Sequence, residues 1–370
     1  MSMLYSFKYL ILAAVFVIVH SAQVLAAPSV LAESAILINA RTGGVIFEKN
    51  ADVRRAPASL TKMMTCILCL ETKGPNAEFK VTQAAAATEY SYLEMKGGER
   101  LLSSELMREM MMESDNGAAV VVAQNVSGSM LKFADRMNEK AKELGCRKTH
   151  FSNPHGLTAK WHYTTARDLA KIAAYCMKNP EFRKLVNHQK SVIHWASPSN
   201  RTYKSETTNE LLGSYKGANG IKTGWTDAAK GCVAASAKRN DVELIAIVLK
   251  SKDHDTRFAD AKKLLDYGFS VGGKGKVQAE QPANADTKRM PDVKKPGAAR
   301  TPAVTNKATP AAKQPVSVTP ETNQPVKNQP TATTMSARQQ PATNQPVVVS
   351  NRPVAKNTGV RMPVLRKPGA

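Results

Sequence analysis

Ala58-Ser59-Leu60-Thr61-Lys62-Met63-Met64-Thr65-Cys66-Ile67-Leu68-Cys69-Leu70 sets a hydroxyl and an amine three residues apart at the head of an apolar run. The run follows Pro57 and stops at Gly74-Pro75, which predicts a buried helix. Residues three apart lie on one helical face about a turn from each other, so Lys62 reaches Ser59. A serine hydroxyl is a weak nucleophile until a base takes its proton, and a lysine serves as base only where burial or nearby positive charge eases its deprotonation. The helix N-terminus adds a positive potential that favours an alkoxide. Taken alone, the pair also fits a helix cap followed by a solvated first-turn lysine.

Two further strings weigh against that alternative. Ser114-Asp115-Asn116 comes 55 residues after Ser59, between a methionine-rich apolar stretch (Leu106, Met107, Met110, Met111) and the run Ala118 to Ala123. Polar residues wedged between two core segments predict a tight connection that projects side chains into a cleft. A hydroxyl there relays protons, and an amide orients the lysine or holds a peptide. The methionines read as packing. Lys222-Thr223-Gly224 starts 108 residues after Ser114, ahead of two strand-like runs, Cys232 to Ala237 and Val242 to Leu249, joined by Lys238-Arg239-Asn240-Asp241. Lys222 supplies positive charge and Thr223 a hydroxyl for a carboxylate, while Gly224 in an edge strand permits close approach of a ligand backbone. The backbone N–H groups of Ser59 and Trp225 are candidates for an oxyanion hole.

The order and spacing of the three strings match the active-site serine acyltransferases. More narrowly, the chain resembles the low-molecular-mass penicillin-binding proteins of the D-alanyl-D-alanine carboxypeptidase family. The likeness extends through Asn153-Pro154-His155-Gly156-Leu157, Thr164-Thr165-Ala166-Arg167-Asp168-Leu169-Ala170 and Leu264-Leu265-Asp266-Tyr267-Gly268-Phe269, and covers roughly Ala35 to Ser270. It implies that Ser59 is the acylated nucleophile and Lys62 its base. Ser114 and Asn116 become the proton shuttle and substrate-binding amide, and Lys222 with Thr223 the seat of a terminal carboxylate. His155 falls in a loop that borders the cleft in this family, either as a structural hydrogen-bonding residue or as a substrate contact. The resemblance further implies peptidoglycan stem peptides ending in D-Ala-D-Ala as substrate and β-lactams as covalent inhibitors; the scattered histidines and the cysteine spacings offer no zinc site, and no cofactor is expected.

Two departures matter. Some members carry an arginine ahead of a Leu-Leu pair; here Thr208 and Asn209 precede Leu211-Leu212, so carboxylate recognition is expected to lean on Lys222 and Thr223. The Ser-Asp-Asn form is typical of class A β-lactamases, which hydrolyse their acyl-enzyme with a glutamate between the second and third motifs. Between Glu143 and Asp168 there is no acidic residue. Slow release of β-lactam acyl groups is therefore expected. Three function classes are carried forward: a D,D-carboxypeptidase, a D,D-endopeptidase acting on cross-links, and a non-enzymatic wall-binding protein.

The fold expected is α+β, an antiparallel sheet flanked by helices plus an all-helical lobe. A hairpin of Ala35–Asn39 and Val45–Glu48 should join the strands after Lys222, under a helix from about Thr256 to Tyr267 ended by Gly268. Residues 75 to 200 read as mainly helical. Lys8 followed by an apolar run from Tyr9 to Val19 reads as a signal peptide over residues 1–26, placing the catalytic domain at 27–271 outside the cytoplasmic membrane. The five cysteines are an odd number, and the Cys66/Cys69 pair falls inside the apolar helix, so packing is favoured over redox or metal chemistry.

Residues 272–370 hold no Phe, Trp or Tyr and carry 14 of the chain's 20 prolines. Such a segment cannot bury enough apolar surface to offset the ordering of its backbone, so a disordered tail is expected. Its 16 Lys or Arg against 4 Asp or Glu contribute +12 of the chain's +22. That charge suits an anionic wall polymer or membrane surface; secretion and the absence of a recognition motif argue against nucleic acid. Removing residues 272–370 is expected to leave hydrolysis of a soluble peptide nearly unchanged while weakening the salt-dependent binding to isolated sacculi or anionic vesicles. Equally tight binding by the truncated protein at every ionic strength would reduce the tail to a spacer.

Overall fold

The computed structural model describes residues 26–274 and 278–280. The expected signal peptide and nearly all of the expected tail lie outside the described residues. The chain opens with a hairpin, β1 (Ser34–Asn39) and β2 (Val45–Lys49), then a 3₁₀ turn (Ala58–Thr61) leading directly into α1 (Lys62–Thr72). The next segment holds β3 (Glu78–Lys80), α2 (Gln83–Ala86), β4 (Arg100–Leu102), α3 (Ser103–Met112), α4 (Asn116–Ser127), α5 (Met130–Glu143), α6 (Ala166–Cys176) and α7 (Pro180–Val186). The strands β5 (Lys190–Ser197), β6 (Thr202–Glu206), β7 (Ala218–Thr226), β8 (Lys230–Arg239) and β9 (Val242–Ser251) precede α8 (His254–Ser270) and β10 (Gln278–Glu280).

The main sheet runs β10-β2-β1-β9-β8-β7 and is antiparallel except for the β10–β2 pair. Because side chains alternate across a strand, β1, β8 and β9 serve two cores at once. Ile36, Ile38, Ala234, Ile245 and Ile247 face the helical lobe, with Leu60, Met63, Met64 and Ile67. Leu37, Val233, Ala235, Leu244, Ala246 and Val248 face α8, against Phe258, Ala261, Leu264 and Leu265. Burial on both faces is why these strands read as unbroken apolar runs instead of alternating ones. β7, bearing Lys222-Thr223-Gly224, is the edge strand of this sheet. The hairpin, the edge position and the covering helix are as the sequence leads one to expect.

Two expectations need correction. The helical lobe is not purely helical, since β3-β4-β5-β6 form a second antiparallel sheet within and beside it. Its first two strands are only three residues long, too short to display a period-2 pattern. Nor does Gly268 end the last helix: α8 continues to Ser270, and the left-handed residues are Gly272 and Gly273. A Cβ on Gly268 would lie 2.6 Å from Leu244 Cδ1 and 2.8 Å from Leu37 Cδ2, so this glycine lets the helix settle onto the sheet. The five cysteines are free thiols and buried, and burial pushes Cys69 and Cys146 up to about 12. Among the described residues no helix is long and apolar enough to cross a membrane.

Candidate active site

The 3₁₀ turn at Ala58–Thr61 buries Ala58, Leu60 and Thr61 and leaves Ser59 partly exposed. Ala58 takes a left-handed φ of 48°, an uncommon conformation for a residue with a Cβ, so the turn that delivers Ser59 is backbone-strained. One turn on, Lys62 is fully buried, and its Nζ lies 3.0 Å from Ser59 Oγ, 2.7 Å from Asn116 Oδ1 and 2.7 Å from the His155 carbonyl. Desolvation holds the Lys62 ammonium well below the usual lysine range, and the charge of Lys222 lowers it further against the opposing pull of Asp115. A neutral amine has two N–H groups. With Asn116 Oδ1 and the His155 carbonyl accepting them, its lone pair faces Ser59 Oγ.

Ser114 follows α3 with φ 77°, a left-handed helix terminus in which serine stands where glycine is usual. The Glu109 carbonyl accepts from its N–H at 3.2 Å, and the Ser114 Oγ is buried with no hydrogen-bond partner. Asp115 is the N-cap of α4: its carboxylate accepts from Ala118, Tyr92 and Leu93 N–H groups, which fixes the direction in which Asn116 enters the cleft. Asn116 Nδ2 donates to the Glu89 carbonyl at 2.9 Å, so its amide is oriented with oxygen toward Lys62.

On the other side stands β7. Lys222 is buried and burial depresses it to about 7, with the Arg257 charge adding to the effect and Glu109 opposing it. Thr223 Oγ1 lies 2.6 Å from Thr208 Oγ1. A Cβ on Gly224 would sit 2.9 Å from the Ser59 N and 3.0 Å from the Ala58 Cβ. The glycine therefore makes room for the protein's own 3₁₀ turn, where the sequence suggests an approaching ligand backbone. Trp225 follows on the same edge strand, half-buried, opposite Gly231.

The loop holding His155 is bound to the turn that carries Ser59. Thr65 Oγ1 donates to the Pro154 carbonyl at 2.6 Å, and a Cβ on Gly156 would fall 1.9 Å from the Ala58 carbonyl oxygen. His155 reaches the site through its backbone carbonyl. Its ring accepts from the Leu157 N–H, and burial, with Lys62 and His162 nearby, keeps it near 3 and uncharged.

Two contributors carry no motif signal. His162 accepts from Ser152 N at Nδ1, so its Nε2 donates to Thr61 Oγ1, whose hydroxyl in turn donates to the Ala58 carbonyl. Arg257 on α8 is buried and donates to the Gly224 carbonyl at 3.0 Å. An arginine thus backs the third motif, from a helix far along the chain from the Thr208/Asn209 position. In the sequence it is one polar residue of an amphipathic helix, with nothing to mark it.

A helical lobe closing on the edge strand of a two-faced antiparallel sheet is the arrangement of the serine D,D-peptidases. The Streptomyces K15 DD-transpeptidase superposes with a TM-score of 0.63 at 30% identity, over 66% of this chain and all of that one. The D-alanyl-D-alanine carboxypeptidase DacD of Francisella tularensis gives 0.61 at 29%, over 68% and 75%. The chain belongs to the D-alanyl-D-alanine carboxypeptidase family, whose model matches residues 21–253. It is 36% identical over 244 residues to the D-alanyl-D-alanine carboxypeptidase DacF of Bacillus subtilis and 35% over 256 to DacA of Escherichia coli, in each case over 65% of this chain. The alignment spans 62% of the length of either relative.

Replacing Gly156 (φ 99°) by alanine strains the backbone and collides with a main-chain oxygen that cannot step aside. The loop should then withdraw the His155 carbonyl from Lys62. Gly156→Ala is expected to slow acylation by benzylpenicillin at least about tenfold, the equivalent of roughly 1.4 kcal/mol in the barrier, with the fold retained by circular dichroism. Unaltered acylation would show the loop to be irrelevant to the amine.

Proposed function

We propose that the protein is a serine-type D-alanyl-D-alanine carboxypeptidase that removes the terminal D-alanine from peptidoglycan stem peptides through an acyl-enzyme. The observation that carries the reading is the fully buried Lys62 amine, 3.0 Å from a half-exposed serine, with two of its hydrogens taken by fixed acceptors. In this reading Ser59 Oγ passes its proton to Lys62 and attacks the carbonyl of the penultimate D-alanine. The oxyanion collects the N–H groups of Ser59 and Trp225. As the C–N bond breaks, the departing amine takes a proton relayed from Lys62 through Ser114. A water attacks the ester by the reverse proton path and restores Ser59.

Asn116 holds both the lysine and the peptide. Lys222 and Thr223, beside Gly224, receive the free carboxylate, and Arg257 supports their strand from behind. The same placement accepts the carboxylate of a β-lactam, and with no acidic residue between Glu143 and Asp168 to activate water, the penicilloyl ester should persist. Export by residues 1–26 would bring the domain at 27–271 to its substrate outside the cytoplasmic membrane, and the basic residues 272–370 would associate with an anionic wall polymer or membrane surface.

Incubating the protein with a D-Ala-D-Ala pentapeptide and with cross-linked muropeptide dimers, and weighing the products, tests the reaction. Loss of one D-alanine from the pentapeptide supports the proposal, cleavage of the dimer alone would make the protein an endopeptidase, and neither would leave a wall-binding role. Benzylpenicillin should add one penicilloyl mass to the wild type and none to Ser59→Ala; a stoichiometric adduct on the variant would refute the nucleophile. Lys222→Ala should lower kcat/KM on the order of 10²-fold for peptides with a free terminal carboxylate and less for amidated ones. Equal losses would move Lys222 to proton transfer.

A further inference from the structure

Thr208 carries a hydroxyl that the reaction above does not use, and that hydroxyl touches the third motif. The residue lies exposed in the turn between β6 and β7, with its Oγ1 2.6 Å from Thr223 Oγ1 and 3.1 Å from the Met112 carbonyl at the end of α3. The turn is pinned on both sides of it. Thr207 N–H donates to the Gln189 carbonyl at 2.9 Å, Thr208 N–H to the Met112 carbonyl at 3.1 Å, and Asn209 Oδ1 accepts from the Leu211 N–H at 3.2 Å. Thr208 is therefore held against Thr223 before any ligand arrives, so its ordering is not charged to binding. Exposure separates the two threonines. Lys222 and Thr223 are 1% and 4% exposed, so the groups read as the carboxylate seat are nearly closed over, whereas Thr208 stands at the surface beside them.

Hydrogen counting defines what the pair offers. Each hydroxyl has one hydrogen and two lone pairs, and either oxygen can be the donor across the 2.6 Å contact. One hydrogen therefore spans the pair and one is left over. In the free protein the leftover hydrogen runs from Thr208 to the Met112 carbonyl, which already accepts from the Thr208 N–H. Giving that bond up leaves no carbonyl unpaired, so the exchange costs little. A carboxylate is the stronger acceptor, and rotation about a single C–O bond turns the hydrogen toward it with no heavy atom moving. The chain then runs from the Thr223 hydroxyl to Thr208 Oγ1 and from the Thr208 hydroxyl to the carboxylate, each bond strengthening the other.

We propose that Thr208 is a specificity-determining residue of the carboxylate seat: its hydroxyl, braced by Thr223, donates to the terminal carboxylate of the substrate alongside Lys222. This rests on the reading of Lys222 and Thr223 as that seat. Thr223 acts through Thr208, which is the member of the pair that a ligand can reach from solvent. The contact favours a free acid over an amide or ester, because only the charged acceptor outbids the Met112 carbonyl for the hydrogen.

The test measures acylation by benzylpenicillin and by its methyl ester, by mass spectrometry, in wild type, Thr208→Val and Thr208→Ser. Valine keeps the shape and loses the hydroxyl; serine keeps the hydroxyl. Thr208→Val should slow benzylpenicillin about tenfold and the ester less than about twofold, as for a lost hydrogen bond to a charged group. Thr208→Ser should restore most of the difference between the two compounds. Equal losses for acid and ester in Thr208→Val, or a serine variant no better than the valine one, would make Thr208 merely structural and overturn the proposal. Adding Thr223→Val to Thr208→Val should cost little more. A further loss confined to the acid would give the carboxylate to Thr223 alone and overturn it too. A second measurement needs no turnover: in the Ser59→Ala background, calorimetry should show Thr208→Val cutting the preference for a D-Ala-D-Ala pentapeptide over its C-terminal amide about tenfold. An unchanged preference overturns the proposal while the seat stands. No preference for the free acid in the Ser59→Ala parent would remove the seat itself, and the proposal with it. Absence of any penicilloyl adduct on the wild type would sink the proposed function instead, and the calorimetry would still decide the contact.

Discussion

The structure turns on the seating of one amine. Lys62 is carried into the core by the first turn of α1, and an ammonium stranded there would cost several kcal/mol. Its cost is met by oxygens from three separate segments: Ser59 on its own turn, Asn116 at the head of α4, and the His155 carbonyl in the loop before α6. Each segment is itself anchored, Asn116 by Glu89 and Asp115, the loop by Thr65 and Asn153. A change in any of them is felt at the amine.

Two glycines then hold the serine's turn from different sides. Gly224 brings the edge strand against the Ser59 amide, and Gly156 brings the loop against the Ala58 carbonyl. Neither position tolerates a Cβ without a main-chain atom moving. Close packing of backbone on backbone is what keeps a strained left-handed Ala58 in place, because the surroundings leave it no other conformation.

Three basic groups, Lys62, Lys222 and Arg257, are buried together; burial lowers each, Arg257 further lowers Lys222, and Lys222 further lowers Lys62. Burial presses Lys62 toward the neutral amine, and the charge of Lys222 adds to it. The charge of Asp115 opposes the effect at Lys62, and that of Glu109 at Lys222. Burial first, and the neighbouring charges after it, decide which lysine bears a proton.

Much of this is local chemistry and was legible along the chain. Ser59 and Lys62 had to meet because helical geometry brings residues three apart together, and the hairpin and the edge-strand motif follow from turn residues between apolar runs. Within 75–200, β3 and β4 are three residues each, too short to show a period, while the eight-residue β5 departs from the helical expectation without that excuse. Glycine favours both left-handed helix ends and close approach, and at Gly268 only the leucines beneath it distinguish the two. Arg257 and His162 lie far in sequence from the motif residues they touch, and their significance is made by burial and by neighbours that a chain acquires only on folding. Spacing determined which side chains could meet at the cleft; the tertiary structure decided their charge states, since desolvation and the distance between charges exist only in three dimensions.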